Sequence, residues 1–534
     1  MNLTLRNIAI TFLIVMAVPA IALSQTVLDS AGIVRHAPDT IIHAVKKDTA
    51  DTKWRRFNHR VPASPTYMWK IEGVATTSSS RTPFWLMNNR LGLSSTAQNN
   101  GYLRAGFFMP LNEEKRFSYG YGADLVIPYN FTSKYVIQQL YAEFKYRSLR
   151  LTIGSKERYE GVVDQELSSG DLTFSLNSRP IPQVYISMPE YQWVPLTNKW
   201  VSFKGFFSLG CFTDGRWQKH YAGQKNRWAE KVLYHSKGFW LKAGNLDRFP
   251  VTVEGGLEMA AQFGGELQLM DHVTHKPYIV KVPSKLKDWW KAIIPMGSES
   301  NGNPALEGEA LNVYGNHVGQ WSAAVTYAPK DSGWQLRAYY EHFFDDHSQL
   351  FLEHGWHDML LGVTVSFPRN RVIDRFLYEY IYTKDQSGSV YWDSKPDIPE
   401  QISGRDDYYN HYMYPGWQHW GMGMGNPLLI SPIYNGDGNL EFMHTRIKGH
   451  HFGLMGHPAD EIDYKIMMSL TRSWGTYPNP TPSIMHNFNA LLEVGYSPAG
   501  LRGWHFRLGF GADAGKLLGK SVGAMLTIRK TGWL

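Results

Sequence analysis

Ile484-Met-His-Asn-Phe-Asn-Ala-Leu-Leu-Glu-Val-Gly-Tyr496, then Trp504-His-Phe-Arg-Leu-Gly-Phe-Gly-Ala-Asp513 and Ser521-Val-Gly-Ala-Met-Leu-Thr-Ile-Arg529, repeat one strict period-two pattern at the end of the chain. In the first segment His486, Phe488, Ala490, Leu492, Val494 and Tyr496 share a face, opposite Asn487, Asn489, Leu491 and Glu493. In the second, Trp504, Phe506, Leu508, Phe510 and Ala512 oppose His505, Arg507, Gly509, Gly511 and Asp513. In the third, Val522, Ala524, Leu526 and Ile528 oppose Ser521, Gly523, Thr527 and Arg529. Short turns at Ser497-Pro-Ala-Gly500 and Asp513-Ala-Gly515 join them. Each segment is roughly ten residues, the length a tilted strand needs to cross a bilayer. One face is apolar with aromatics near its ends, and the other carries Gly, Asn and charge. A soluble sandwich turns its apolar face inward, so this pattern points to the lipid-facing wall of a barrel.

The composition allows that reading and excludes others. Charged residues are 19% of the chain, aromatics 14%, and Gly is abundant at 49 residues. No second long apolar run follows the N-terminus, which excludes a helical membrane protein but not a barrel, where only alternate residues meet lipid. The sole cysteine, Cys211, excludes an intrachain disulfide framework and a cysteine-based structural metal site. Residues 1–24 read as a signal peptide, with Arg6, the apolar run Ile8 to Ala22 and the small-residue site Ala22-Leu-Ser24 before Gln25. An exported chain of this size without disulfides suits the outer membrane of a Gram-negative bacterium. The net charge of +7 is mild, compatible with anionic glycans or lipopolysaccharide and equally with an ordinary basic surface.

Working back from the C-terminus, residues 25–66 read as a periplasmic segment and 67–534 as the barrel. Strand-like segments fall at 67–77, 84–93, 101–110, 117–127, 134–146, 149–154, 182–188, 200–212, 232–243 and 251–263. Nine more fall at 319–328, 334–344, 357–366, 372–382, 440–448, 460–473, 485–497, 503–513 and 519–529. Bacterial single-chain barrels close with an even number, so about eighteen strands are expected, with one segment a loop or a continuation. The lumen face would carry Lys204, Glu254, Glu258, Arg337, Glu341, Glu493, Arg507, Asp513 and Arg529. Both signs are present, which reads as cross-bracing of a filled barrel, because unpaired charges there are costly.

Three insertions are left to fill the lumen or form the outer surface: Ser155 to Pro182, 264–318 and 383–439. In the second, Ser284 is a plausible N-cap and Leu286, Trp289, Trp290 and Ile293 recur at helical spacing, with Lys285, Lys287 and Lys291 on the other side and Pro295 as the stop. This reads as a short amphipathic helix packed on the barrel mouth, ahead of one lying on the membrane surface. The third is dense in aromatics, including Asp406-Asp-Tyr-Tyr-Asn-His-Tyr412, Gly416-Trp-Gln-His-Trp420 and Gly421-Met-Gly-Met-Gly-Asn426. Rings stack on the C–H faces of sugars and amides pair with hydroxyls. Trp289, Trp290, Tyr408, Tyr409, Trp417 and Trp420 are therefore the candidate glycan contacts.

No constellation reads as catalytic. His342, Asp345, Asp346, His347, Glu353, His354 and His357 lie close in sequence but without compact metal-ligand spacing, and polar turn residues are the better account. The Gly421 to Gly425 repeat lacks the Lys and Ser/Thr of a phosphate loop and reads as backbone flexibility. No Gly-x-Ser-x-Gly elbow is present. No enzyme activity, cofactor or metal is expected.

Several stretches, in order, resemble the Wzi capsule-assembly family, especially its Bacteroidetes branch. They are Pro83-Phe-Trp-Leu-Met-Asn-Asn-Arg-Leu-Gly-Leu93, Leu167-Ser-Ser-Gly170, Asn177-Ser-Arg-Pro-Ile-Pro182, Trp200-Val-Ser-Phe-Lys-Gly205, Tyr340-Glu-His-Phe-Phe-Asp-Asp-His-Ser348 and Gly425-Asn-Pro-Leu-Leu429. The resemblance implies an outer-membrane barrel, closed by its loops, that attaches or organises capsular polysaccharide in a lectin-like role. One departure is the C-terminus, Gly532-Trp-Leu534, where many barrel proteins end in an aromatic. Capsular or extracellular polysaccharide and outer-membrane lipids with lipopolysaccharide are the expected partners, with no nucleic acid and a monomeric chain. A porin or substrate-specific diffusion channel is the alternative, and an envelope enzyme built on the His342 to His357 cluster a weaker third.

Overall fold

The computed structural model describes residues 67–271, 274–295, 314–345, 356–368, 372–386 and 406–534. The expected signal peptide and the periplasmic segment 25–66 lie outside these residues. Eighteen strands form one closed antiparallel sheet. They are β1 (Met68–Ser78), β2 (Asn99–Met109), β3 (Phe117–Tyr129), β4 (Val136–Tyr146), β5 (Leu149–Ser155) and β6 (Gln183–Trp193). β7 (Val201–Cys211), β8 (Leu233–Ala243), β9 (Val251–Phe263), β10 (Asn316–Tyr327), β11 (Gln335–Asp345) and β12 (Met359–Ser366) follow. β13 (Arg375–Tyr382), β14 (Ile447–Ala459), β15 (Ile462–Gly475), β16 (Pro480–Tyr496), β17 (Trp504–Gly515) and β18 (Ser521–Trp533) complete the wall. Closure comes from β1 pairing with β18, Met68 opposite Trp533, so the ring has no free edge.

The C-terminal pattern forms β16 to β18 with the faces the alternation sets. Asn487, Asn489, Leu491 and Glu493 are buried toward the lumen, while Leu492, Val494 and Tyr496 are exposed on the outside. The same holds across the sheet, where Ile71, Leu103, Ile127, Val253, Leu470 and Phe510 stand out on the outer face. Phe117, Tyr146, Tyr496 and Trp504 ring the end of the barrel that holds Met68 and Trp533, as interfacial girdles do. Connections at that end are short, for example 147–148 and 460–461, whereas 79–98, 156–182, 212–232, 264–315 and 383–446 all leave from the other end, called here the loop end.

Many of the inward charges are paired. Arg104 donates to Asp124 at 2.6 Å and Glu157 at 2.7 Å, and Lys70 reaches Asp124 at 3.1 Å. Glu254 meets Lys242 at 3.0 Å and Arg337 at 3.2 Å, and Arg529 meets Glu72 at 3.1 Å. Lys204 donates to the Glu160 carbonyl at 2.8 Å, and Arg507 to Asp463 at 2.9 Å. Buried charges are costly without such partners.

Three expectations are corrected. Residues 84–93 are no strand: Pro83 precedes a short helix α1 (Phe84–Met87) inside the barrel, with all four side chains buried. Pro-Phe-Trp-Leu-Met has no polar face to alternate, and Asn89, Leu91 and Gly92 then take positive φ of 54°, 55° and 69°, which ends extended backbone. Residues 440–448 give only their last two positions to β14, because Phe442 is fully buried against Tyr409, with ring centroids 5.2 Å apart. The lysine-rich helix is present as α3 (Leu286–Ile293), one residue later than a Ser284 cap requires, but it neither fills the lumen nor caps the mouth. It packs on the outer face of the wall, since its Trp289 rests edge-on against Phe263, an outward residue of β9. Gly264 and Gly265, with φ of 66° and 97°, turn the chain out of β9 into strand Gly265–Met270, which pairs with Trp228–Glu230 and Pro277–Val282.

Candidate functional site

Three loop-end connections fold back into the barrel. From 79–98, the Phe84 N–H donates to Asp513 on the wall at 2.9 Å, the Trp85 indole donates to Ser469 at 3.1 Å, and Arg90 bonds Glu493 at 2.6 Å. From 156–182, Ser168 and the Ser169 N–H both donate to Glu379, while the N–H groups of Leu172 and Thr173 donate to Glu341 and Gln320 at 3.1 and 2.9 Å. From 406–446, the Tyr409 hydroxyl donates to the Leu172 carbonyl and the Trp417 indole to the Thr173 carbonyl at 2.9 Å. Asn177 donates to the Gly423 carbonyl at 3.0 Å, and Asn426 to Ser169 at 3.0 Å. The wall holds the filling through inward carboxylates and amides, and the three segments hold one another through backbone groups. Pro83–Leu93, Leu167–Gly170, Asn177–Pro182 and Gly425–Leu429 therefore meet in one packed body.

The glycines of 421–425 pack tightly, which corrects the reading of them as flexible. A Cβ at Gly425 would collide with the Tyr409 hydroxyl and the Leu172 carbonyl, and residues Met422 to Ser431 are all buried.

The six candidate aromatics separate into three places. Tyr408, Tyr409 and Trp417 lie together in the filling, each at most 1% exposed, with Phe343 edge-on to both tyrosines. Trp289 and Trp290 sit on α3 outside the wall. Trp420 alone reaches a cleft at the loop end.

That cleft, about 360 Å³, is lined by Ser94, Ser95, Asn130, Phe131, Thr132, Arg179, Trp217, His220, Tyr221 and Trp420 among others, with no carboxylate among the described residues. One side is α2 (Gly215–Ala222), which buries Gln218 and Ala222 and ends at Gly223, where φ is 61°. Gln218 fixes its inner face, donating to Asp214 at 3.0 Å and accepting from the Ala229 N–H at 3.0 Å. Trp217 and Tyr221, one turn apart, stack with centroids 5.0 Å apart. The other side is a two-residue hairpin in which Gln418–His419 pairs with Met422–Gly423. Its tip residues Trp420 and Gly421 have φ of 58° and 81°, the positive pair of a type I′ turn.

An aromatic residue with positive φ is strained and persists only where its surroundings over-determine it. The Trp420 N–H donates to Asp214 at 2.8 Å, its indole donates to Thr213 at 3.2 Å, and its ring lies 6.0 Å from Trp217. Arg179 lies over the same ring at 4.6 Å, steadied by Ser133 and Thr132 at 3.0 Å each. Burial lowers the Arg179 guanidinium to about 10, against the pull of Asp214, so it stays charged at neutral pH.

Sequence reasoning reached Trp420 but passed over Arg179, Trp217 and Tyr221. The i, i+4 pair Trp217 and Tyr221 in a loop between two strands was the available signal.

Of the histidine cluster, Asp346, His347, Glu353 and His354 lie outside the described residues. His342 is fully buried with Nδ1 2.8 Å from the Asp358 carbonyl, and no group of three or more metal-ligating side chains occurs among the described residues.

The closed ring, lipid-type outer face and polar lumen face define an outer-membrane β-barrel. Among solved structures, Wzi from Escherichia coli, described as an outer membrane protein involved in group 1 capsule assembly and a carbohydrate-binding β-barrel, is similar over 86% of this chain and 83% of its own, with TM-score 0.52 and 12% identity. OccAB2 from Acinetobacter baumannii aligns over 88% of this chain and 98% of its own, with TM-score 0.45 and 8% identity. OccD3 (OpdP) from Pseudomonas aeruginosa covers 88% and 91%, with TM-score 0.43 and 8% identity. At this identity the likeness to Wzi shows the fold alone. No family model matches the chain, and no curated protein matches it in sequence.

Proposed function

We propose that the chain is a non-enzymatic barrel of the Gram-negative outer membrane that binds or organises capsular polysaccharide or exopolysaccharide at the cell surface. The observation that carries this reading is the cleft of Trp217, Tyr221, Trp420 and Arg179 above a barrel filled by its own loops. Long connections lie on the extracellular side of such barrels, so the cleft faces outward. Stacked rings offer flat apolar faces to sugar C–H groups, while Asn130, Thr132 and Ser95 offer donors and acceptors for hydroxyls. A carboxylate-bearing sugar would meet Arg179, and no acid lines the cleft among the described residues. Tyr408, Tyr409 and Trp417 serve from below by fixing the hairpin that carries Trp420.

Trp217→Ala together with Trp420→Ala should release polysaccharide into the medium while the barrel still inserts and keeps its heat-modifiable mobility on gels. Trp420→Ala alone should weaken glycan binding about tenfold, the loss of roughly 1.4 kcal/mol of ring contact. Unchanged retention in the double variant sinks the reading, as does steady ohmic conductance of the intact protein in a planar bilayer, which belongs to a channel.

A further inference from the structure

On the outer wall at the loop end, the lipid-facing pattern is interrupted. Along β9 the outward residue Val253 is exposed, but Met259, Ala261 and Phe263 on the same face are buried. Their neighbours on β8 and β10, His235 and His317, are outward and buried as well. The cover is α3, whose Trp289 packs on Phe263 and whose Ile293 carbonyl accepts from Lys237, an outward lysine of β8.

The height of this helix follows from the strand. Outward aromatics Tyr327 and Trp334 mark the terminal end, and Tyr327 pairs with Val251. From Val251 to Phe263, at about 3.3 Å per residue and a tilt near 40°, the wall rises roughly 30 Å. That is the thickness of the hydrocarbon layer, so α3 lies at the outer headgroup level.

Its exposed face is amphipathic. Leu286 is 78% exposed and Trp290 56%, although both are apolar. Lys285 and Lys287 are exposed beside them and Lys291 half-buried, while the helix's one acid, Asp288, is turned inward to accept from the Lys285 N–H at 2.8 Å. Exposed apolar side chains flanked by lysines at headgroup height match acyl chains and phosphates together.

We propose that α3 is a docking site for the phosphorylated glycolipid of the outer leaflet, with Leu286 and Trp290 entering the acyl boundary and Lys285 and Lys291 meeting its phosphates. The site is spatially separate from the cleft and rests only on insertion in the outer membrane. It takes Trp289 and Trp290 out of the set of glycan contacts.

The test uses the full chain in nanodiscs of phosphatidylcholine, with or without bis-phosphorylated lipid A. Native mass spectrometry reads lipid A retained per barrel, and amide exchange reads residues 286–293. The wild-type chain should retain lipid A and exchange more slowly at the helix when it is present. Lys285→Gln and Lys291→Gln should each weaken retention about fivefold, and the double variant about 25-fold. Leu286→Ser with Trp290→Ser should remove the slowed exchange, with the barrel's heat-modifiability unchanged. Equal retention in wild type and the double lysine variant overturns the proposal. So does a change from two copies to one per particle in the serine variant, which would assign the face to a second chain.

Discussion

The wall strands β16 to β18 and the inserted segment 406–446 are both rich in aromatics, yet they use them in opposite ways. In the wall, Tyr496, Trp504 and Phe510 stand outward at 37–48% exposure, where lipid is the partner. In the insertion, Tyr408, Tyr409 and Trp417 are at most 1% exposed, and each has a hydrogen bond for its polar atom: Tyr408 to Asp358 at 2.7 Å, Tyr409 to the Leu172 carbonyl, Trp417 to the Thr173 carbonyl. A ring in the wall needs only the right face of an alternating strand. Inside the barrel a ring needs a shaped site and a partner for its polar atom, because an unmet donor there is expensive.

The largest effect that tests this contrast is Trp417→Ala. Loss of a fully buried indole should cost the filling about 3–5 kcal/mol, read as faster amide exchange across 406–446 with β16 to β18 unchanged. Equal loosening of wall and filling would mean the two are one cooperative unit. Next is Leu508→Arg, near the middle of β17 on the lipid face, which should destabilise the barrel by about 2–4 kcal/mol in a folding titration and leave the filling's contacts in place.

The smallest effect is a pH dependence confined to the filling. Burial raises the Asp407 carboxyl to about 6, against hydrogen bonds from Asn410 and Thr445 that lower it. A carboxyl raised in the folded state binds its proton more readily there than in the unfolded chain. Its contribution is therefore full below about pH 4 and lost as pH rises through about 6. Protection factors at 406–446, corrected for the intrinsic pH dependence of exchange, should be higher at pH 4 than at pH 7, and Asp407→Asn should reduce that difference. A difference of unchanged size in the variant assigns the effect to another group.

Pro83–Leu93, Leu167–Gly170, Asn177–Pro182 and Gly425–Leu429 fall on the filling, and this explains what the sequence makes legible. Residues 84–93 read as a strand from the sequence, since apolar residues in a short run fit either assignment. The cleft was half visible. Trp420 drew attention by composition, but its partners Arg179 and Trp217 come from connections far apart in sequence, and only the folded loops bring them within 6.0 Å of its ring. The lysine-spaced helix was legible down to its four apolar positions, yet its place on the outer wall depended on which face of β9 carries Phe263.

The sequence by itself determined the wall: length near ten residues, alternation, and the even strand number that closure demands, all local or counting properties of the chain. Tertiary structure decided everything inside and above it. Which loops turn inward, which carboxylate each backbone N–H finds, and which tryptophan stays at the surface depend on long-range pairings. Those pairings are driven by the cost of leaving a buried polar group without a partner, and no periodicity records them.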